Sequence, residues 1–310
     1  MTSGDPRTRP KRVLVTGGSG FIGRNLVAAL TADGCEVRVV DLNPHPDAEV
    51  DTVVGDICDH DVLVEALSPG VDAVVHLAAV TSVLRSVDHP QLTYRTNVAA
   101  TADLLELARR QGLSPVVFAS SSAVVGPLPS GAISEDSSLR PLSPYGATKA
   151  AAEMLMSAYD ASYGVRGAVL RLTNVYGPGM ALKDSIVARL MRAVLTGTTF
   201  EIYGDGRQVR DYVHVSDVVE AVKLALADPA WTGPVSIGWG RSISVLEMVD
   251  RVRQATGAPL PAVHGPARTG EMPAVVVDTG AARRRGWAPG VDLDEGLAAV
   301  WQEWSSRSGA

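Results

Sequence analysis

The sequence predicts an α/β protein in which a doubly wound parallel sheet is joined to a smaller C-terminal lobe. Apolar runs of strand length alternate with helix-length segments over the first half of the chain, and the alternation loosens after about residue 176. Of the 310 residues, 46% are hydrophobic, which is ample for a large core. Because alternating strands and helices imply crossover connections, the strands are expected to run parallel and to be buried on both faces.

The predicted elements follow one another along the chain. Strands are expected at residues 12–18, 36–41, 51–56, 73–79, 115–122 and 167–175. Helices are expected between them at residues 23–34, 59–67, 94–112 and 143–164. Two later segments, 244–257 and 293–304, also have helical spacing, whereas the polar stretch 204–214 is interpreted as a loop.

Composition excludes several classes of protein. The net charge of −6, with mixed signs, argues against a general nucleic-acid surface. Apolar runs stay well short of the roughly 18 residues that a membrane-spanning helix needs. Cys35 and Cys58 lie in separate segments, which favours a reducing cytoplasm over a disulfide framework. The acidic run 56–61 has no further His or Cys at metal-ligand spacing, so no metal site is expected.

A glycine-rich turn lies between the first strand and the first helix. In "VTGGSGFIG" the glycines occupy positions 17, 20 and 23. Glycines at such a turn let the backbone approach a pyrophosphate, and the N-terminus of the helix adds N–H donors and a favourable dipole. The sequence therefore predicts a dinucleotide-binding domain of the Rossmann type.

The acid at the end of the second strand indicates which dinucleotide binds. The carboxylate of Asp41 can accept hydrogen bonds from ribose hydroxyls and would repel a 2′-phosphate. Leu42, rather than an arginine, follows it. Both features favour NAD over NADP. Asp56, after the third strand, either contacts the adenine amino group or is a solvated loop acid.

A tyrosine and a lysine share one face of the helix that begins near residue 143. Ser143 and Pro144 have the residue types of an N-cap and a first helical position. Tyr145 and Lys149 then follow one turn apart, and a nearby ammonium is expected to lower the pKa of the phenol, which is ordinarily about 10. Ser121 ends the strand before this helix and would place a hydroxyl beside the phenol. These three residues are the predicted catalytic groups.

Together these motifs resemble one family along nearly the whole chain, from Val13 to about Trp304. The chain is similar to extended short-chain dehydrogenases/reductases of the NAD-dependent nucleotide-sugar epimerase/dehydratase group. The segments that carry the resemblance are "TGGSGFIG", "GDICD", "HLAA", "TNVAAT", "FASSSAVVG", "SPYGATK", "RLTNVYGPG", "YGDGRQVRDYVHVSDV" and "PARTGEMP". It implies an NAD-binding Rossmann domain over residues 11–172, to which 212–238 returns. It also implies a nucleotide-sugar-binding lobe formed by 173–211 and 239–306.

The resemblance also implies residue roles. Cofactor contacts would come from Gly17, Gly20, Phe21, Ile22, Gly23, Asp41, Leu42, Asp56, Ile57, Leu77, Ala78, Ala79, Tyr145 and Lys149. Contacts to a UDP-sugar substrate would come from Ser121, Ser122, Tyr145, Asn174, Tyr203, Arg210 and Arg268. Among these, Asn174 and the two arginines would hold the diphosphate, and Tyr203 would stack on the nucleobase.

Two positions after the strand-end serine favour one reaction of the family. Dehydratases carry an acid/base pair there, typically Asp-Glu or Cys-Glu, whereas this chain has Ser122 and Ala123. The expected activity is therefore 4-epimerisation of a UDP-sugar through transient oxidation at C4. A dehydratase, a decarboxylase, a 4-ketoreductase and a non-enzymatic NAD(H)-sensing regulator are the alternatives.

The identity of the sugar stays open between UDP-glucose/galactose and UDP-glucuronate/galacturonate, with the N-acetyl forms also possible. Val125 stands where the family usually has a tyrosine, which puts the common galactose preference in doubt. A C6 carboxylate would need a cation, for which Lys183, Arg189 and Arg192 are candidates. The resemblance further implies a homodimer formed through the helices of residues 94–111 and 146–162.

Overall fold

A seven-stranded parallel sheet forms the centre of the protein. The computed structural model describes residues 10–67, 69–128, 131–181, 183–267 and 274–308. The strand order is β10-β6-β5-β4-β1-β2-β3, and every pairing in this sheet is parallel. The strands are β1 Arg12–Thr16, β2 Glu36–Asp41, β3 Asp51–Val54, β4 Ala73–His76, β5 Val116–Ser121, β6 Gly167–Leu172 and β10 Gly233–Ile237. The predicted fold class is confirmed.

Helices cover both faces of this sheet, as crossover connections require. They are α1 Phe21–Ala32, α2 His60–Ala66, α3 Val83–Asp88, α4 Pro90–Tyr94, α5 Ala100–Gln111, α6 Pro144–Tyr163 and α8 Val215–Ala227. One apolar core joins the sheet to α1 and α8, and a second joins its other face to α2, α5 and α6. The strands therefore read as continuous apolar runs in the sequence because they are buried on both sides.

The helix predicted over residues 94–112 has a different construction. It begins earlier, with α4 at Pro90, and passes through a π-helical turn at Arg95–Ala99 before α5. Asn97 lies in that turn, and its side chain bonds the backbone of Val80 on another segment. The spacing of apolar residues does not reveal such a tertiary contact. The sequence therefore predicts a single regular helix.

A smaller layer is built from two short sheets and three helices of the described chain. The three-stranded sheet contains β7 Asn174–Tyr176, β9 Val209–His214 and β11 Ser242–Ser244, and the two-stranded sheet contains β8 Phe200–Tyr203 and β12 Ala262–Gly265. The helices are α7 Ile186–Thr196, α9 Val245–Thr256 and α11 Leu293–Ser308, whereas α10 Gly280–Arg284 packs against β10 of the large sheet. A third apolar core joins α7, α9 and α11 to these strands.

Two boundaries near this layer differ from the sequence prediction. The strand predicted over 167–175 ends at Leu172, and the chain passes to the small sheet as β7 starts at Asn174. The segment 204–214, interpreted as a loop, contains strand β9. One of its polar residues, Asp211, is fully buried and accepts hydrogen bonds from the Thr173 hydroxyl and the Trp239 and Gly240 amides. In the parts of the chain described, none of the helices has both the length and the apolar character to cross a bilayer.

Candidate active site

The glycine turn fits a pyrophosphate because its backbone leaves no room for side chains. Gly17 has φ +71°, and a Cβ built there would lie 2.8 Å from the Ala78 nitrogen. A Cβ on Gly23 would lie 2.6 Å from the Cα of Gly18. Gly20 is the N-cap of α1 and provides no side-chain cap. The first amides of α1 are therefore left to an anionic ligand, which is the chemistry that a dinucleotide supplies.

The remaining predicted cofactor residues lie at the same edge of the sheet. Asp41 ends β2 and accepts hydrogen bonds from the Ser19 amide at 3.1 Å and the Asn43 amide at 3.0 Å, which fixes its carboxylate beside the turn. Leu77 and Ala78 follow β4 and donate their amides to Thr16. The other predicted contacts lie in the first turn of α1 or after β2, β3 and β4: Phe21, Ile22, Leu42, Asp56, Ile57 and Ala79. Of these, Leu42 and Asp56 are exposed and Ile57 is buried.

The predicted catalytic residues meet where β5 ends and α6 begins. Ser143 caps α6 by accepting the Gly146 amide at 3.2 Å, and Pro144 holds the first helical position, as predicted. A Cβ on Gly146 would lie 2.6 Å from the Ala123 carbonyl oxygen, so glycine lets α6 approach the turn after β5. The Ser121 side chain lies near enough to the Tyr145 phenol to lower its pKa. The structure thus brings the phenol and the strand-end serine to the same edge of the sheet.

Burial favours the neutral forms of both Tyr145 and Lys149. It raises the pKa of Tyr145 above its ordinary value, and the nearby Ser121 side chain offsets part of that increase. Burial lowers the pKa of Lys149 to about 7, which Glu153 partly opposes. The Lys149 ammonium donates to the Ala119 carbonyl at 2.7 Å. The pKa of the phenol is therefore raised rather than lowered as the sequence predicts, because desolvation is its largest cause and Lys149 is not among the groups that offset it.

Asn97 connects the loop after β4 to helix α6. Its side chain accepts the Val80 amide at 2.8 Å and donates to the Val80 carbonyl at 3.0 Å. It also donates to the Thr148 hydroxyl at 3.1 Å, and Thr148 in turn donates to the Tyr145 carbonyl. Asn97 belongs to the segment "TNVAAT" that carries the family resemblance, but nothing in its local spacing marks this connecting role.

A buried ion pair lies one turn beyond Lys149 on α6. Glu153 and Arg171 are 4% and 3% exposed, and their charged groups approach to 2.8 Å. Ser120 donates to the Glu153 carboxylate, and Arg171 also donates to the carbonyls of Ser134 and Glu135. This network joins α6 to β5 and β6. The i, i+4 spacing from Lys149 places Glu153 on the same face of α6, which the sequence shows. Its pairing with Arg171 depends on the folded chain.

A histidine lies beneath the glycine turn. His76 is buried between the Thr16 hydroxyl, 2.7 Å from Nδ1, and the Thr101 hydroxyl, 2.9 Å from Nε2. Thr101 donates to the Asn97 carbonyl and Thr16 accepts the Ala78 amide, so the pattern assigns the proton of the ring to Nε2. Burial lowers the pKa of His76 to about 3, which keeps the ring neutral. We assign it a supporting role under the turn.

Of the predicted substrate residues that the structure describes, Ser121, Ser122 and Tyr145 lie where β5 ends and α6 begins, and the others lie on the small sheets. Asn174 starts β7 and donates to the Asp211 carbonyl at 2.9 Å, while Arg210 lies on the adjacent strand β9. Tyr203 ends β8, and the Arg189 guanidinium lies over its ring at 5.4 Å. Arg268 lies outside the described residues.

The three candidate cations for a C6 carboxylate are in different environments. Arg189 stacks over the rings of Phe200 and Tyr203, at 5.3 and 5.4 Å from their centroids. Arg192 donates to the Lys183 carbonyl. The Lys183 ammonium lies 3.3 Å from the Val175 carbonyl oxygen and 5.1 Å from the centroid of Phe21. Across the described ranges, no group of three or more His, Cys, Asp or Glu residues could hold a metal ion.

Comparison with known proteins agrees with this geometry. The model of the NAD dependent epimerase/dehydratase family matches residues 13–238. A UDP-glucose 4-epimerase of Mycolicibacterium smegmatis is 38% identical over 96% of this chain and 99% of its own length. A dTDP-glucose 4,6-dehydratase of Streptomyces niveus is 36% identical over 94% of this chain and 92% of its own length.

A solved structure agrees over the same extent. MoeE5 in complex with UDP-glucuronic acid and NAD superposes with a TM-score of 0.87 at 40% identity, covering 96% of this chain and 99% of MoeE5. The glycine turn, the nearby placement of Ser121 and Tyr145 and these matches lead to one conclusion: the chain belongs to the NAD-dependent epimerase/dehydratase family, whose cofactor is NAD.

Proposed function

We propose that the chain is a UDP-sugar 4-epimerase that oxidises its substrate transiently at C4 and returns the hydride to the opposite face. The observation that carries this proposal is the placement of Ser121 at the end of β5 and Tyr145 at the start of α6, near each other and at the edge of the sheet where the glycine turn lies. The adjoining positions, Ser122 and Ala123, have no carboxylate for the elimination of water.

Side chains of the protein bind the C4 hydroxyl and transfer its proton. Tyr145 takes that proton when C4 is oxidised and gives it back when C4 is reduced, while the Ser121 hydroxyl holds the C4 oxygen. When bound, NAD supplies a nicotinamide ring that accepts the C4 hydride and returns it, so that no net oxidation results. Lys149 provides a positive charge one turn away, which favours the phenolate. The 4-keto sugar must turn over before reduction for the configuration at C4 to invert.

The lobe of residues 173–211 and 239–306 would provide most contacts to the UDP group. Asn174 and Arg210 lie on neighbouring strands, and planar arginine donors suit a diphosphate. Tyr203 would stack on the uracil, and Arg268 would add a further phosphate contact. The sugar is glucose/galactose or glucuronate/galacturonate, and the latter is consistent with the similarity to MoeE5, which was solved with UDP-glucuronic acid.

Dehydration is the second candidate reaction, since a dTDP-glucose 4,6-dehydratase is among the similar proteins. The two reactions share the oxidation at C4 and differ in the fate of the 4-keto sugar, which either turns over or loses water. A dehydratase would need an acid/base pair other than residues 122 and 123.

A panel of nucleotide sugars separates these reactions. Purified protein is incubated with UDP-glucose, UDP-galactose, UDP-glucuronate, UDP-N-acetylglucosamine and dTDP-glucose, and the products are resolved by chromatography and mass. We expect an epimer of unchanged mass from at least one UDP-sugar. Tyr145→Phe should lower the rate by at least about a hundredfold while NAD stays bound. A product lighter by one water would contradict the proposal.

We also propose that the protein works as a homodimer in the cytoplasm. Apolar side chains are exposed along α3, α4 and α6, at Val83, Leu84, Val87, Leu92 and Met154. A second copy of the chain would cover them in a bundle of helices. Cys35 and Cys58 are both free, which suits a reducing compartment.

A further inference from the structure

Lys183 is a partly buried cation without a carboxylate partner in the described part of the chain. Its ammonium has one hydrogen-bond acceptor there, the Val175 carbonyl oxygen at 3.3 Å, and lies over the ring of Phe21. Lys223, by contrast, pairs with Asp33 at 2.9 Å and Glu220 at 3.0 Å. Burial lowers the pKa of Lys183 to about 8, and no neighbouring charge opposes this effect. An ammonium can donate three hydrogen bonds, so two of them remain available to a ligand or to solvent.

The position of Lys183 is set by contacts with three helices. The loop that precedes it accepts hydrogen bonds from Arg24 at Gly179 and from Asn25 at Pro178, both from α1. Glu303 of α11 accepts the Gly179 amide at 2.7 Å, and Arg192 of α7 donates to the Lys183 carbonyl. The loop is thereby held between the glycine turn and the smaller layer. Its lysine is consequently anchored rather than free in solvent.

The two groups that contact the ammonium belong to the two ends of the proposed site. Phe21 starts α1 within the glycine turn. Val175 follows Asn174, the residue proposed to hold the diphosphate of the substrate. Lys183 therefore lies at the junction between the dinucleotide and the nucleotide sugar. Since placing an ammonium in a partly buried site without a counter-charge costs free energy, its presence is best explained by a ligand that brings negative charge.

We propose that Lys183 binds an anionic group of the nucleotide sugar, either the diphosphate or a C6 carboxylate. This inference rests on the proposed function, because it assumes that a UDP-sugar occupies the site. It also distinguishes Lys183 from Arg189 and Arg192. Arg189 is engaged by two aromatic rings and Arg192 by a backbone carbonyl, so both have contacts within the fold that account for them.

Calorimetric titration of the NAD-loaded protein with UDP, UDP-glucose and UDP-glucuronate tests this proposal. Lys183→Met removes the charge, and Lys183→Arg retains it. We expect Lys183→Met to weaken binding about tenfold to a hundredfold, as for the loss of a charged hydrogen bond, and Lys183→Arg to recover part of that affinity. If Lys183 binds the diphosphate, the affinities for all three ligands should fall by the same factor. If it binds the carboxylate, only the affinity for UDP-glucuronate should fall.

Lys223→Met is the matched control, since it removes a lysine whose carboxylate partners lie within the fold. It should leave all three affinities unchanged. The unfolding temperature of the ligand-free Lys183→Met protein should equal or exceed that of the wild type, because an uncompensated charge is removed. A structural lysine would show a decrease instead.

Several outcomes would overturn the inference. One is that Lys183→Met and Lys223→Met bind every ligand with equal affinity. Another is that Lys183→Met loses NAD while its affinity for the nucleotide sugars is unchanged. If the wild type forms epimers while Lys183→Met keeps full affinity, only this inference fails. If binding depends on Lys183 but no epimer forms, only the proposed reaction fails. A wild type that binds none of these ligands contradicts both.

Discussion

Tyr145 and Lys149 show that the pKa values of two residues depend on their burial as well as on their spacing along a helix. Their spacing places both on one face of α6, but burial raises the pKa of the phenol and lowers that of the ammonium. Each group is therefore easier to hold in its neutral form than in water. The proposed reaction needs them as a phenolate and an ammonium, so each must favour the ionised form of the other when the site is filled.

The shifted pKa of Lys149 predicts how stability depends on pH. Its pKa is 10.5 ordinarily and about 7 in the fold. Between these values the unfolded chain binds more protons than the folded one, so the free energy of unfolding should rise as pH increases from about 7 toward 10. Lys149→Met should reduce this rise. Urea unfolding of the NAD-free wild type and variant at several pH values measures the free energy of unfolding of each. Lys183, whose pKa is about 8, contributes with the same sign, so some slope should remain. An unchanged slope would contradict the assignment.

Helix α6 is held to the sheet by the pair of Glu153 and Arg171. Because both groups are buried, removing one partner leaves an uncompensated charge. Arg171→Met should cost about 3–5 kcal/mol of stability, and the double variant with Glu153→Leu should recover much of it. Chemical denaturation of both single variants and the double variant gives the coupling energy.

Single and double variants that lose equal stability would contradict this account of the pair. A matched comparison is available at the exposed pair of Arg251 and Asp294, whose charged groups approach to 2.7 Å. Removing either partner there should cost about 1 kcal/mol or less, since solvent screens exposed charges.

The exposed apolar face of α3, α4 and α6 predicts the behaviour of the whole molecule in solution. Light scattering should give twice the mass of one chain. Met154→Glu puts a charge on this face, where Met154 is 55% exposed, and should shift the mass toward that of one chain. Val263→Glu changes an apolar residue of similar exposure, 53%, on β12 and should leave the dimer intact. A single-chain mass for the wild type would contradict the proposed homodimer.

Much of this molecule could be predicted from short stretches of sequence. The strand, glycine turn and helix at residues 12–32, the capped start of α6 at Ser143, and the spacing of Tyr145 and Lys149 all depend on neighbouring residues. Their geometry comes from local backbone preferences and helix periodicity, which the sequence carries directly. The family resemblance joined these pieces into one fold.

The tertiary structure decided what depends on contacts between distant segments. The pairing of Glu153 with Arg171, the contact of Asn97 with Val80 and the burial of Asp211 within β9 each join residues that local spacing cannot relate. The direction of the Tyr145 pKa shift was also misjudged from spacing alone, because desolvation is a property of the packed site. The same holds for Lys183. Only the folded chain shows that no carboxylate among the described residues pairs with its ammonium.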